Sequence, residues 1–266
     1  MIVIGEKLNS SIPSVNAAYQ AGDTAFIQQT AIRQLDAGAD YLDVNAATFL
    51  DEEVTKLRWA IDAVLSVRKA NFMVDSPAPA AIDTILSEKG FGDVIINSIT
   101  LESNRLNGVL PLIAKYRAKI VALPISDAGI PQTAEERFEN AAQLIEILTE
   151  NGAAQTDIFL DALFQAIGAE YESGAVTLET IRKLRAHYPE IHIIGGLSNI
   201  SFGLPKRTVL NSAFLSAAIA CGLDSAIMDI TNRDIRLHLA AARVVTGQDE
   251  YCIDYLETYR ELYPEE

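Results

Sequence analysis

The feature that most constrains this chain is a repeat of eight short apolar runs, each followed by a stretch with helical spacing. The runs are Ile2-Val3-Ile4, Tyr41-Leu42-Asp43-Val44, Phe72-Met73-Val74, Val94-Ile95-Ile96, Ile120-Val121-Ala122-Leu123, Ile158-Phe159-Leu160, Ile191-His192-Ile193-Ile194 and Ala226-Ile227-Met228. Most are rich in β-branched residues and continuous rather than alternating, the pattern of parallel strands covered on both faces. Between them lie helix signals. Asp23 precedes Phe26, Ile27, Thr30, Ala31 and Leu35, with Gly38 as the stop. Thr133 and Glu136 form a capping box ahead of Phe138 to Leu148, with Gly152 beyond. Thr177 is expected to open the next helix, and Gly222 to cap the small-residue segment Ala213 to Ala220. Eight such repeats in 266 residues predict an α/β chain folded as a (β/α)8 TIM barrel.

A doubly wound open sheet is the competing architecture, and it usually places a glycine-rich nucleotide turn after an early strand. Gly90-Phe91-Gly92 is the only near match; it follows a helical segment and lacks the third glycine, so it is rejected. No linker or low-complexity tract divides the chain, which reads as one domain over 1–266 with a last helix near Asp249 to Leu262.

Charge and cysteine usage narrow the function. The chain carries 21 Lys and Arg against 36 Asp and Glu, a net charge of −15. That excess repels phosphate backbones and anionic lipid, which argues against nucleic acid or membrane surfaces as partners. No apolar run approaches the roughly 20 residues of a membrane span, and the start Met1-Ile2-Val3-Ile4 is too short for a signal peptide. The two cysteines, Cys221 and Cys252, supply no disulfide framework, so a cytoplasmic setting is expected. His187, His192 and His238 stand outside metal-ligand spacing and are expected on solvated or helical surfaces; no bound metal is anticipated.

In a barrel of this type, the polar residues at the C-terminal ends of the strands face the active site. Here those ends carry Glu6 and Asn9, Asp43 and Asn45, Asp75, Asn97 and Ser98, Asp161, Ser198 and Asn199, and Asp229. The mouth is therefore expected to hold carboxylates and carboxamides with almost no cations. Asp43 and Asp229 read equally well as helix caps. Several such residues at one rim are harder to explain that way, and together they suit a neutral heterocycle with amino, ring N–H and carbonyl groups. Gly195-Gly196 could cradle a phosphate, but no cation follows before Lys206 and Arg207, which favours close backbone approach instead.

Taken together, Ile4-Gly5-Glu6-Lys7-Leu8-Asn9, Leu42-Asp43-Val44-Asn45, Val74-Asp75-Ser76, Ile96-Asn97-Ser98, Leu160-Asp161 and Gly196-Leu197-Ser198-Asn199-Ile200-Ser201 resemble the pterin-binding methyltransferases. Within that family the pattern is most like the methyltetrahydrofolate:corrinoid protein methyltransferases and their methylcobalamin-to-tetrahydrofolate relatives. The folate module of cobalamin-dependent methionine synthase is more distant kin. The likeness runs from Met1 to about Tyr255. It implies that Asp75, Asn97 and Asp161 hold the pterin edge and that Asn199 reaches N5, with Asn199, Asp75 and Asp161 as the catalytic set. Glu6, Asp43, Asn45, Ser201, Phe202 and Arg207 would complete the substrate site. Phe202 stands where some members carry a polar residue.

The resemblance also implies a homodimer, tetrahydrofolate or methyltetrahydrofolate as substrate, and a cobalamin or other corrinoid supplied by a partner protein or free. The residues two before each histidine are Arg185, Glu190 and Arg236, so the Asp-x-His-x-x-Gly signature of a corrinoid domain is absent from the chain. Three rivals remain. A dihydropteroate synthase would need a lysine after the seventh strand, where Asn199 stands; a Schiff-base aldolase would need a lysine on an inner strand, and the sixth offers none. A non-catalytic folate-binding protein would use the same edge residues without turnover.

Overall fold

Each apolar run becomes a parallel strand in the computed structural model, which describes residues 1–89, 91 and 93–264. Among these residues the strands are β1 (Ile2–Asn9), β2 (Tyr41–Asn45), β3 (Phe72–Asp75), β4 (Val94–Ile99), β5 (Lys119–Ala122), β6 (Ile158–Asp161), β7 (His192–Ile194) and β8 (Ser225–Met228). Helices α1 (Pro13–Ala21) and α2 (Thr24–Asp36) both follow β1. The later strands are followed in turn by α3 (Glu53–Leu65), α4 (Pro79–Lys89), α5 (Ser103–Tyr116), α6 (Ala134–Glu150), α7 (Ser173–His187), α8 (Arg207–Cys221) and α9 (Arg233–Val245), and α10 (Ile253–Leu262) ends the series. Gly90 and Gly92 of the rejected glycine-rich near match lie outside the described residues.

The strands pair in the order β7-β6-β5-β4-β3-β2-β1-β8. The ring closes where Ile227 N donates to Gly195 O at 3.1 Å and Gly196 bridges Ile227 in parallel. The fold is the TIM barrel that the alternation predicts.

Continuous apolar runs arise because each strand feeds two cores. One set of side chains, Ile4, Tyr41, Met73, Ile95, Val121, Phe159 and Ile194, fills the barrel interior. Their neighbours, such as Val3, Leu42, Phe72, Ile96 and Leu160, pack outward under the helices. Side chains alternate along a strand, so the residue two beyond each interior plug also faces inward, toward the mouth. By that rule Asp43, Asp75, Asn97 and Asp161 stand above Tyr41, Met73, Ile95 and Phe159. Adjacent registers agree: Asn45 pairs with Asp75, and Asp75 with Asn97.

Local signals place most helix ends. Asp23 caps α2 by accepting from Phe26 N, the Thr133–Glu136 capping box starts α6, and Gly222 ends α8 in the left-handed conformation. Two expectations need correction. Thr177 does not open α7, which begins at Ser173; its buried hydroxyl donates instead to Leu163 O. His192 is not on a solvated or helical surface: it starts β7, stacks on Phe159 and pairs through Nδ1 with Asp224 at 3.0 Å. His187 and His238 are exposed on helices, as expected. Helix α1 was not foreseen; it is short and begins with Pro13 in its first turn, where a missing N–H costs nothing. Among the described residues, no helix is long and apolar enough to cross a membrane.

Candidate active site

The mouth opens into a cavity of about 620 Å³ whose lining includes Glu6, Asn9, Asp43, Asp75, Asn97 and Asn199. Asp75 ends β3, and Asn45 Nδ2 donates to its Oδ2 at 2.9 Å. Asn45 is itself held, its Oδ1 accepting from Ala47 N and the Ser10 hydroxyl. It therefore orients Asp75 from behind and is not part of the cavity wall. Burial pushes the Asp75 carboxyl up to about 6, against the opposing effects of Asn45 and the Arg105 charge.

Asp43 is the most confined acid of the group. It is buried within β2, and its Oδ1 has no hydrogen-bond partner among the described residues. Burial and the neighbouring Asp75 charge hold it well above the usual carboxylate range, although the carboxamides of Asn9 and Asn97 offset part of that. It caps no helix. Asp229 is not a helix cap either, since Asn232 caps α9; it accepts from the Thr231 hydroxyl and pairs with Lys7 at 2.9 Å.

Asn199 reaches the cavity because of a glycine. A Cβ on Gly196 would stand 3.0 Å from Asn199 Nδ2, so the bare backbone gives the carboxamide its room. The same carboxamide makes no hydrogen bond to any described residue, which leaves its donor and acceptor open to a ligand. Gly195 serves a different neighbour, the Phe164 ring, which a Cβ would meet at 2.4 Å. Close approach, and not a phosphate cradle, explains the pair.

Not every expected residue lines this space. Asp161 ends β6 on the inward face, where its Oδ1 accepts from Leu163 N at 2.7 Å, yet it is outside the cavity wall. Burial pushes it up to about 6 as well. Ser201 is wholly buried; its hydroxyl accepts from Arg207 Nε at 3.1 Å and so aims the guanidinium. Arg207 lines the cavity and also donates to Ser198 O, and Phe202 lines it from an exposed position.

The expectation of a mouth almost without cations is corrected by Lys7, which lines the cavity between Glu6 (3.4 Å) and Asp229 (2.9 Å). A register shift in β1 between Gly5 and Leu8 explains it. A bulge breaks the alternation, so consecutive residues Glu6 and Lys7 both reach the mouth. Glu6 accepts from the Ser198 hydroxyl, and burial raises its carboxyl above the ordinary range.

Two arginines that were not foreseen set the loops under the site. Arg105 of α5 donates to Ser98 O, Pro77 O and Ser76 O, tying the segment after β3 to the end of β4. Buried Arg137 of α6 binds Ala162 O and Leu163 O just beyond Asp161. Each guanidinium gathers carbonyls that would otherwise be left without donors.

Comparison with known proteins decides what kind of mouth this is: residues 5–229 match the family described as pterin binding enzyme. The chain belongs to the pterin binding enzymes. Along 98% of its length this pterin binding enzyme is 36% identical to the methylcorrinoid:tetrahydrofolate methyltransferase of Eubacterium limosum, 97% of which is covered. It is 32% identical over 86% of its length to the methionine synthase of Mycobacterium tuberculosis, but spans only 20% of that larger protein. Its fold is shared by dihydropteroate synthases. That of Vibrio fischeri superposes with a TM-score of 0.69 at 14% identity, covering 94% of both chains. That of Xanthomonas albilineans in complex with 7,8-dihydropteroate gives 0.68 at 18% identity, covering 92% of this chain and 94% of the other.

Proposed function

We propose that this pterin binding enzyme moves a methyl group between N5 of tetrahydrofolate and the cobalt of a corrinoid. The observation that carries the reading is one cavity holding acceptors for a ring edge, Asp75 and Asn97, together with the unpartnered carboxamide of Asn199. Binding a pterin needs only the first group. The second adds a donor where a nitrogen gains or loses charge. The near-full-length similarity to a methylcorrinoid:tetrahydrofolate methyltransferase supports the same assignment.

Asp75 and Asn97 receive the amino and N–H edge of the flat ring; Asp161, which ends β6 on the inward face outside the wall of this cavity, is assigned the remaining edge contact. The orphaned Asp43 Oδ1 deeper in the wall is suited to a further donor or to a proton. In the direction toward folate, the N5 lone pair displaces the methyl group from cobalt, which keeps the bonding electron pair. The resulting N5-methyl ammonium then releases a proton. In reverse, N5 must gain that proton before the C–N bond breaks. Asn199 donates to N5 without ionising, and Asp43, whose carboxyl burial raises well above the ordinary range, is the proton store we assign.

The corrinoid enters as a substrate, supplying methyl donor or acceptor, and no histidine stands at the mouth to ligate its cobalt. The loops at the mouth expose Leu50, Ile130, Tyr171 and Phe202, an apolar rim that suits a corrinoid protein docking over the cavity. Homodimerisation belongs to the same proposal; Val245, Tyr251, Ile253 and Leu256 are exposed near α10, and sedimentation equilibrium should give twice the chain mass. A cytoplasmic setting suits the two free cysteines.

A dihydropteroate synthase reaction is disfavoured because a leaving pyrophosphate wants cations free to meet it. Lys7 is held by two carboxylates, and Asn199 occupies the loop after β7. The test is spectroscopic. Enzyme mixed anaerobically with methylcobalamin and tetrahydrofolate should convert the methylcobalamin absorbance to that of the reduced cobalamin. No change in the cobalamin spectrum, with pyrophosphate released from a pterin pyrophosphate instead, would reverse the assignment.

A further inference from the structure

The bulge that brings Glu6 and Lys7 together to the mouth is built into the fold. Gln34 of α2 is fully buried, and its Oε1 accepts from Lys7 N at 2.8 Å. A Cβ at residue 5 would stand 2.5 Å from that oxygen, so Gly5 makes room for the arrangement. The two side chains then join segments that the sheet leaves apart. Among the described residues, backbone pairing across the seam between β7 and β8 ends at Gly196 and Ile227. Above it a chain of polar side chains takes over. Thr231 donates to Asp229 through its N–H and its hydroxyl, and Asp229 pairs with Lys7 at 2.9 Å. Lys7 meets Glu6 at 3.4 Å, and Glu6 accepts from the Ser198 hydroxyl at 2.9 Å. Burial raises the Glu6 carboxyl; Lys7 and then the Ser198 hydroxyl oppose that shift and favour its charged form.

Ser198 stands next to Asn199 in the short turn Leu197–Asn199, and it is gripped from the other side as well. Arg207 donates to its carbonyl and to the Ser201 hydroxyl. Asn199 N donates to Gly196 O, and Asn199 O accepts from Phe202 N, both at 3.1 Å. Its carboxamide is therefore aimed by the backbone that Ser198 anchors.

We infer that Lys7, Glu6 and Ser198 act as positioning residues, a relay from the loop after β8 through β1 that fixes the turn carrying Asn199 for methyl transfer. The inference rests on the role proposed above for Asn199 at N5. An ammonium shared by two carboxylates suits this task better than substrate capture, because its charge is already answered within the wall. Precision at such a donor matters: a misplacement of about 1 Å costs up to about a hundredfold in rate.

The test compares single-turnover methyl transfer from methylcobalamin with the dissociation constant of tetrahydrofolate, each variant first checked for its fold by circular dichroism. Ser198→Ala and Lys7→Met should each slow transfer by about 10- to 100-fold and change the dissociation constant by less than about twofold. The Ser198→Ala/Asn199→Ala double variant separates positioning from general support. A residue that acts through Asn199 has nothing left to place once the carboxamide is gone, so the double variant should be as slow as Asn199→Ala alone. Three results would overturn the relay while the folate reading stands: a wild-type rate in folded Ser198→Ala, affinity falling as far as rate, or a further loss of about tenfold in the double variant. A wild type that moves no methyl group would overturn the folate reading itself, and the relay with it.

Discussion

In the proposed reaction, Asn199 is the residue at which binding and chemistry separate. Its carboxamide has no hydrogen-bond partner among the described residues, and it enters the cavity because Gly196 leaves it space. Losing one donor to a developing charge typically costs about 3 kcal/mol, or about a hundredfold in rate. Asn199→Ala is therefore expected to lower kcat by about that factor while the tetrahydrofolate dissociation constant changes much less. A rate within about twofold of wild type in a stopped-flow methyl-transfer assay would remove the assigned role. Asp161 yields a prediction of opposite sign for stability. Its carboxyl stands at about 6, above the ordinary 3.8, so the folded chain takes up a proton between these values. Stability contributed by the protonated form is lost as pH rises from about 4 through about 6, and stays lost above. Asp161→Asn should consequently gain on the order of 2 kcal/mol in urea unfolding at pH 8 and nothing near pH 4, while weakening folate binding. A gain at pH 4 as large as at pH 8 would contradict that cause.

Strands and helices determine how much of the site could be read in advance. Polar residues at the ends of strands were legible because alternation carries them inward above apolar plugs, and Asp43, Asp75 and Asn97 meet as that rule requires. Lys7 escaped the rule because the β1 bulge shifts the alternation by one residue, which short runs of sequence do not reveal. Arg105 and Arg137 escaped it for another reason. They sit on helices and act on strand-end and loop carbonyls from 7 to 29 and from 6 to 26 positions away, partners that no local spacing encodes. Helix α1 was hidden by a short, mixed sequence after Pro13, although Gly22 marks its left-handed end. The plugs under the site are themselves testable. Phe159 is fully buried in the barrel interior and stacks on His192. Phe159→Ala should cost about 3–5 kcal/mol in denaturant unfolding and reduce folate affinity through the loosened end of β6. A loss under about 1 kcal/mol would mean that the interior layer does not support the mouth.

Across the whole molecule, charge and shape divide the surface into regions. The net charge of −15 disfavours anionic macromolecules, while the mouth gathers carboxamides together with the acids Asp43 and Asp75, whose carboxyls burial raises. Leu50, Ile130, Tyr171 and Phe202 are exposed on loops that follow the strands at this end of the barrel. All of this depends on the acid and carboxamide floor gripping the edge of a flat nitrogen ring. The most direct measurement is calorimetric titration of 6-methyltetrahydropterin into the wild type and Asn97→Ala at pH 7.5. Removing a hydrogen-bonding carboxamide from that floor should weaken binding by about 10- to 100-fold with the fold intact by circular dichroism. Unchanged affinity in a folded Asn97→Ala protein would show that the ring binds elsewhere, contradicting the account.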